Sequence, residues 1–120
     1  MGHIDALVDT GSPFTVLSTK DIMTSRLSIK TMQRGETVSL AGFRFFDFPI
    51  KEPTLYFRDQ DGKLLKIDLP LIGALIPTKI DKTTLDEVKH IPTILGTDFL
   101  EEQRFTLSFN PSGRIAFLER

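Results

Sequence analysis

The residues whose types and spacing best suit chemistry are Asp9-Thr10-Gly11-Ser12, directly after the apolar run Ala6-Leu7-Val8. A carboxylate at the end of an apolar strand has a fixed position, and the glycine two residues on lets the backbone turn tightly behind it. Thr10 and Ser12 bring hydroxyls to the same place. The same four residues also fit a plain turn in which Asp9 accepts only the Gly11 or Ser12 amide. A second segment, Ile94-Leu95-Gly96-Thr97-Asp98-Phe99-Leu100, reads alone as a strand, a glycine bend and a helix start. It gains meaning from its pairing with the first, with hairpin material between them.

Positioning these segments falls to short β-elements. Ile4, Ala6 and Val8 alternate with Asp5, Leu7 and Asp9, which predicts a strand ending at Asp9. Phe14 to Leu17 predicts a second. Ser18 with Asp21 three residues later is a capping-box pattern, so a short helix is expected from Thr19 to Arg26. Further strands are expected over Glu36–Leu40, Phe43–Phe48, Thr54–Arg58, Leu64–Leu69, Leu71–Leu75 and Thr93–Leu95. Asp59-Gln60-Asp61-Gly62 fits a hairpin turn. It lacks the remaining ligands of a calcium loop. Thr84 with Glu87 predicts a helical turn up to His90, and Asp98–Gln103 a further short helix. Phe105–Phe109, the turn Asn110-Pro111-Ser112-Gly113 and Ile115–Leu118 predict a final hairpin. About nine short strands with two or three short helices argue for a mostly-β barrel or sandwich.

Composition narrows the function classes. The chain has 120 residues, 40% hydrophobic and 26% charged, which suits one globular domain over 1–120. Lys plus Arg is 15 and Asp plus Glu is 16, a net charge of −1, so no basic excess points to nucleic acid. Cysteine is absent and histidine is limited to His3 and His90, which removes thiol catalysis and any Cys-based zinc site. No apolar run is long enough to span a membrane. The opening MGHIDALVD has no basic region followed by an apolar block, so no secretory leader is expected and the expected compartment is the cytoplasm.

Taken together, Leu7-Val8-Asp9-Thr10-Gly11-Ser12, Ile94-Leu95-Gly96-Thr97-Asp98-Phe99-Leu100 and the pair Gly42-Phe43 resemble the aspartic protease superfamily in its single-lobe, retropepsin-like form. The resemblance covers residues 3 to 119. It implies a mostly-β, closed-barrel-like fold with one or two short helices, and an aspartic endopeptidase acting on peptide or protein substrates. It implies Asp9 as the catalytic aspartate. Thr10 would bond across the dyad to the partner's loop, Gly11 would keep the carboxylate coplanar with its mate, and Ser12 would bond the outer oxygen of Asp9. Ile94, Leu95 and Gly96 would pack across the active-site loop. Leu7 and Ile94 would line the substrate pocket, and Gly42-Phe43 would stand in the flap.

The chemistry requires two carboxylates. Hydrolysis by this route needs a base to take a proton from water and an acid to protonate the carbonyl oxygen. Two carboxylates about 3 Å apart cannot both ionise, so they share one proton and fill both roles. The chain has one Asp-Thr-Gly, so the second carboxylate is expected from a second copy in a two-fold homodimer. No metal or organic cofactor is implied.

Two departures from that family bear on the expectation. Only eight residues precede Asp9, where relatives place another strand, which makes the Arg104–Glu119 hairpin the candidate for the dimer sheet. The stretch between the motifs is also long, and Pro70, Pro77 and Pro92 place the extra length as loops within Leu71–Ile91. Among other residues, His90 reads as a surface or loop histidine, without a nucleophile motif to serve. Phe43 and Phe45 share one strand face and Phe46 and Phe48 the other, which suits core packing on at least one face and an aromatic binding stripe on the other. Lys79, Lys82 and Lys89 alternate with acids as a solvated surface does.

Overall fold

The apolar runs that predict strands pair as a mixed sheet. The structure, a computed structural model, describes residues 6–25, 33–58, 61–110 and 115–119. In chain order its elements are β1 (Ala6–Val8), β2 (Val16–Leu17), α1 (Thr19–Ser25), β3 (Thr37–Leu40), β4 (Phe43–Lys51), β5 (Thr54–Arg58) and β6 (Leu64–Asp68). They continue as β7 (Leu71–Pro77), α2 (Lys82–Val88), β8 (Thr93–Leu95), α3 (Thr97–Glu102), β9 (Thr106–Asn110) and β10 (Ile115–Glu119). Six strands form one sheet in the order β1-β8-β2-β7-β4-β3, while β5–β6 and β9–β10 are separate antiparallel pairs.

The fold is mostly β, but the expected closed barrel is not formed among the described residues. Closure requires every strand to pair on both sides. Here β1 pairs only β8 and β3 pairs only β4, so the sheet ends at both. Among the described residues there are three short helices, within the two or three that the residue patterns predict and more than the one or two that the resemblance implies. Within Leu71–Ile91, the predicted strand at Leu71 extends to Pro77 as β7 and the predicted helical turn before His90 forms as α2, so only the segments beside them are loop. Asp81 starts α2, accepting the Thr84 amide at 2.7 Å, so the cap is this aspartate and not Thr84. The strand residues Ile4 and Asp5, as well as Arg26, Asp59, Gln60 and the Pro111–Gly113 turn, lie outside the described residues.

The longest contact in the sheet is β4 against β7, paired antiparallel from Phe45↔Pro77 to Lys51↔Leu71. Alternation along β4 sends its side chains to two sides. Phe48 and Ile50 pack on the larger core of Leu17, Ile22, Ile67, Ile72, Leu95 and Phe99. Phe45 is buried in a smaller cluster with Leu75 and Val88, and Phe43 packs against it. Phe43, Phe45 and Phe48 are therefore packing, while the half-buried Phe46 carries the Arg34 guanidinium over its ring. His90 is exposed. Among the described residues, Lys79 and Lys89 make solvent-exposed pairs, with Asp81 at 3.6 Å and Asp86 at 3.9 Å. Among the described residues, no helix is long and apolar enough to cross a membrane.

Candidate active site

The two motifs meet. β1 runs parallel to β8 in the register Ala6↔Thr93, Leu7↔Ile94, Val8↔Leu95. The Asp9 amide then donates to the Leu95 carbonyl at 3.0 Å, so the chain leaves the strand at the aspartate. A tight turn follows, in which the Ser12 amide donates to the Asp9 carbonyl at 3.1 Å. The Gly11 amide donates to Asp9 Oδ1 at 2.9 Å. A Cβ at Gly11 would stand 3.1 Å from that oxygen, a tight contact that would press on the carboxylate. Asp9 is half-buried, Thr10 and Gly11 are exposed, and Oδ2 of Asp9 has no partner among the described residues.

The second motif lies directly beneath this turn. A Cβ at Gly96 would stand 2.5 Å from the Phe14 carbonyl oxygen and 2.7 Å from that of Ser12. The Thr97 amide donates to the Ser12 carbonyl at 2.8 Å. The Gly96 amide donates to Thr15 Oγ1 at 3.0 Å, and that hydroxyl donates in turn to Asp98 Oδ1 at 2.7 Å. Asp98 also accepts the amides of Thr15 at 3.0 Å and Phe99 at 2.7 Å. Thr15 and Asp98 thus tie the loop to the start of α3. Sequence reading gave neither side chain a role, although an aspartate in the first turn of a helix is a recognisable signal.

A cavity of about 580 Å³ opens beside the loop. Ser12 and Phe14 of the loop, Ile94 of β8, Val38 and Leu40 of β3, and Asp47 of β4 are among its walls. Ile94 is buried and is among its walls, whereas Leu7, its register partner, is 53% exposed and is not. Gly42 sits at the tip of the β3–β4 hairpin. Ala41 at φ 52° and Gly42 at φ 83° make the two-residue type I′ loop that matches strand twist. The tip itself does not line the cavity; strand β3 leading to it does. Phe43 turns into the smaller core.

One expected contact is not made. The Ser12 hydroxyl donates to the Phe14 carbonyl at 2.8 Å and not to Asp9. The turn through Pro13 presents that carbonyl to it, a local bond between residues two apart.

A second, shallower hollow of about 470 Å³ lies among Glu52, Asp68, Pro70 and Glu102, and none of the motif residues line it. Among the described residues, no group of three or more acids and histidines is arranged to hold a metal ion. Set against known proteins, the chain matches no protein-family model and no curated protein.

Proposed function

We propose that this chain is a single-lobe, retropepsin-like aspartic endopeptidase that acts as a homodimer, with one Asp9 from each copy. The observation that carries the reading is the seating of the Asp9 turn on Leu95-Gly96-Thr97, through the Asp9 and Thr97 amides and the close approach at Gly96. A merely structural turn needs the Gly11 amide alone. This one is braced from below by a second segment far away in sequence, as a carboxylate that must meet a partner in one geometry has to be. The surroundings suit a second copy. Thr10 is exposed beside the carboxylate, and Leu7 at 53% and Phe14 at 69% exposure form apolar surface next to it.

In the dimer, the two Asp9 carboxylates share one proton. The ionised one takes a proton from water, and the protonated one gives its proton to the carbonyl oxygen. The Gly11 amide holds one oxygen of each and fixes the plane of the pair. The β3–β4 hairpin borders the cleft and is the candidate lid.

The Ser12–Phe14 bond favours a second reading, a peptide-binding or dimerisation module without turnover, because it leaves Asp9 with fewer orienting bonds. Asp9→Asn separates the two. The amide keeps the loop bonds but cannot act as the base, so cleavage of an unbiased peptide library at acidic and neutral pH should fall by at least ~10²–10⁴ while the thermal melt is kept. Equal cleavage by both proteins refutes Asp9 catalysis, and so does cleavage by a chain that sedimentation shows to be strictly monomeric. No cleavage by either protein, in a folded dimer, selects the binding module.

A further inference from the structure

The carboxyl of Asp47 stands where the chain has made room for it and given it nothing to bind. Its Oδ1 is fully buried and has no hydrogen-bond partner among the described residues. It lies over Gly73 of the neighbouring strand, and any Cβ there would collide with the carboxyl. The Asp47 backbone is fully used, its amide donating to the Glu36 carbonyl at 3.0 Å and its carbonyl accepting from Gly35 at 2.7 Å. The strand at Asp47 is thus fixed, and its half-buried side chain lines the cavity.

The cavity's other walls are mostly apolar, Val38, Leu40 and Ile72 among them. Glu36 lines the same space and is exposed, and no Lys or Arg does so among the described residues. Arg34 is near in sequence, but its guanidinium lies 4.4 Å over the Phe46 ring. Phe46 projects from the face of β4 opposite to Asp47. A mostly apolar cavity with an unpaired carboxyl in its wall, the acid Glu36 beside it and Asp98, already bonded to Thr15, at its edge complements one kind of group: a cation on an alkyl stem.

We infer that this cavity is a side-chain pocket for a basic residue, lysine or arginine, of a bound peptide, with Asp47 as its specificity-determining anchor. The inference rests on the proposed function only in taking a peptide to lie along the cleft. Ser12 lines the pocket three residues after Asp9, so a peptide whose reacting carbonyl reaches Asp9 brings a neighbouring side chain to the pocket. The pKa of Asp47 supports this: burial pushes it up. An entering ammonium or guanidinium supplies a positive charge, and the carboxylate gives it a desolvated, charge-assisted bond. Gly73 is then explained as the residue that leaves space for the anchor.

The test is binding, so that turnover is not needed. Fluorescein-labelled peptide pools, identical except for lysine, arginine, norleucine or glutamate at one position, are titrated against the Asp9→Asn protein by anisotropy. The lysine and arginine pools should bind about 10- to 100-fold more tightly than the norleucine pool. In Asp9→Asn/Asp47→Asn the preference should fall below about threefold. Ala at Gly73, which displaces the carboxyl but keeps its charge, should lower the same ratio. Equal binding of all pools by Asp9→Asn overturns the inference and needs no Asp47 variant to read. So does a basic preference that survives both Asp47→Asn and Gly73→Ala. Cleavage by wild type is scored on the same pools. Cleavage without a basic preference overturns the inference and leaves the peptidase standing. Asp47-dependent binding of basic pools without cleavage does the reverse.

Discussion

Gly96 lies so close under Phe14 that a Cβ on it would stand 2.5 Å from the Phe14 carbonyl oxygen. The atoms in the way are backbone, so they cannot rotate aside. Gly96→Ala must therefore push the Asp9 loop off β8, breaking the Thr97–Ser12 bond of 2.8 Å. We expect a loss of about 2–4 kcal/mol in urea unfolding and loss of whatever activity Asp9 supports. A melt unchanged from wild type would show that the loop is not seated as described.

Thr15 and Asp98 act as one unit. The Thr15 hydroxyl accepts from Gly96 and donates to Asp98, and Asp98 takes the Thr15 amide as well. Asp98→Ala leaves the amides of Thr15 and Phe99 without their acceptor, and should cost about 2–3 kcal/mol. Thr15→Val should cost about 1–3 kcal/mol. Because the two share a network, the double variant should cost at least about 0.5 kcal/mol less than their sum in a denaturation cycle. Additive losses would separate them.

Asp21 gives stability a pH dependence. Burial alone would push its pKa up, but hydrogen bonds from Lys20, Thr93 and Ser18, together with the Lys20 charge, outweigh burial and hold it below the ordinary aspartate value. Thr93 Oγ1 is 2.6 Å from Asp21 Oδ2, and Lys20 Nζ is 2.9 Å from Oδ1. A group with a lowered folded pKa adds stability that is fully present above its unfolded pKa. That stability drains away as pH falls through the folded pKa. Asp21→Asn should thus cost about 1–3 kcal/mol at neutral pH, and the gap to wild type should close below about pH 4. Denaturant titrations from neutral pH into acid read this directly. A gap constant with pH would mean that the carboxylate's charge is not what binds α1 to β8.

The hairpin tip offers the cleanest separation of backbone strain from packing. Gly42 has φ 83° and nothing within 4 Å of a built Cβ, so Gly42→Ala should cost about 1 kcal/mol from conformation alone. Ala41 already holds φ 52°. Ala41→Asn creates the favoured Asn-Gly type I′ pair and should raise stability by about 0.5–1 kcal/mol. If Ala41→Asn destabilises, the turn is of another type.

Most strands were legible because their signals are local: alternation into Asp9, Ala-Gly between two β-rich runs, apolar runs at Leu71 and Thr93. The meeting of the Asp9 turn with Gly96 was implied by the resemblance that Asp-Thr-Gly and Leu-Gly-Thr-Asp carry, and Gly96 bears its trace, since the backbone of the Asp9 loop leaves no room for a Cβ there. What only the tertiary structure decided depends on partners far away in the chain. That the sheet stays open follows from which strands find a neighbour, which no single strand's pattern records. The choice of Phe14 over Asp9 by the Ser12 hydroxyl is settled by a turn through Pro13. Asp47 reads in sequence as one polar residue in an aromatic strand. It becomes a candidate anchor only because β7 brings Gly73 under its carboxyl and the loop after Asp9 closes the cavity beside it. Alternation says which side of β4 the carboxyl takes, but whether that side meets water, a cation or an empty pocket is set by the elements packed against it.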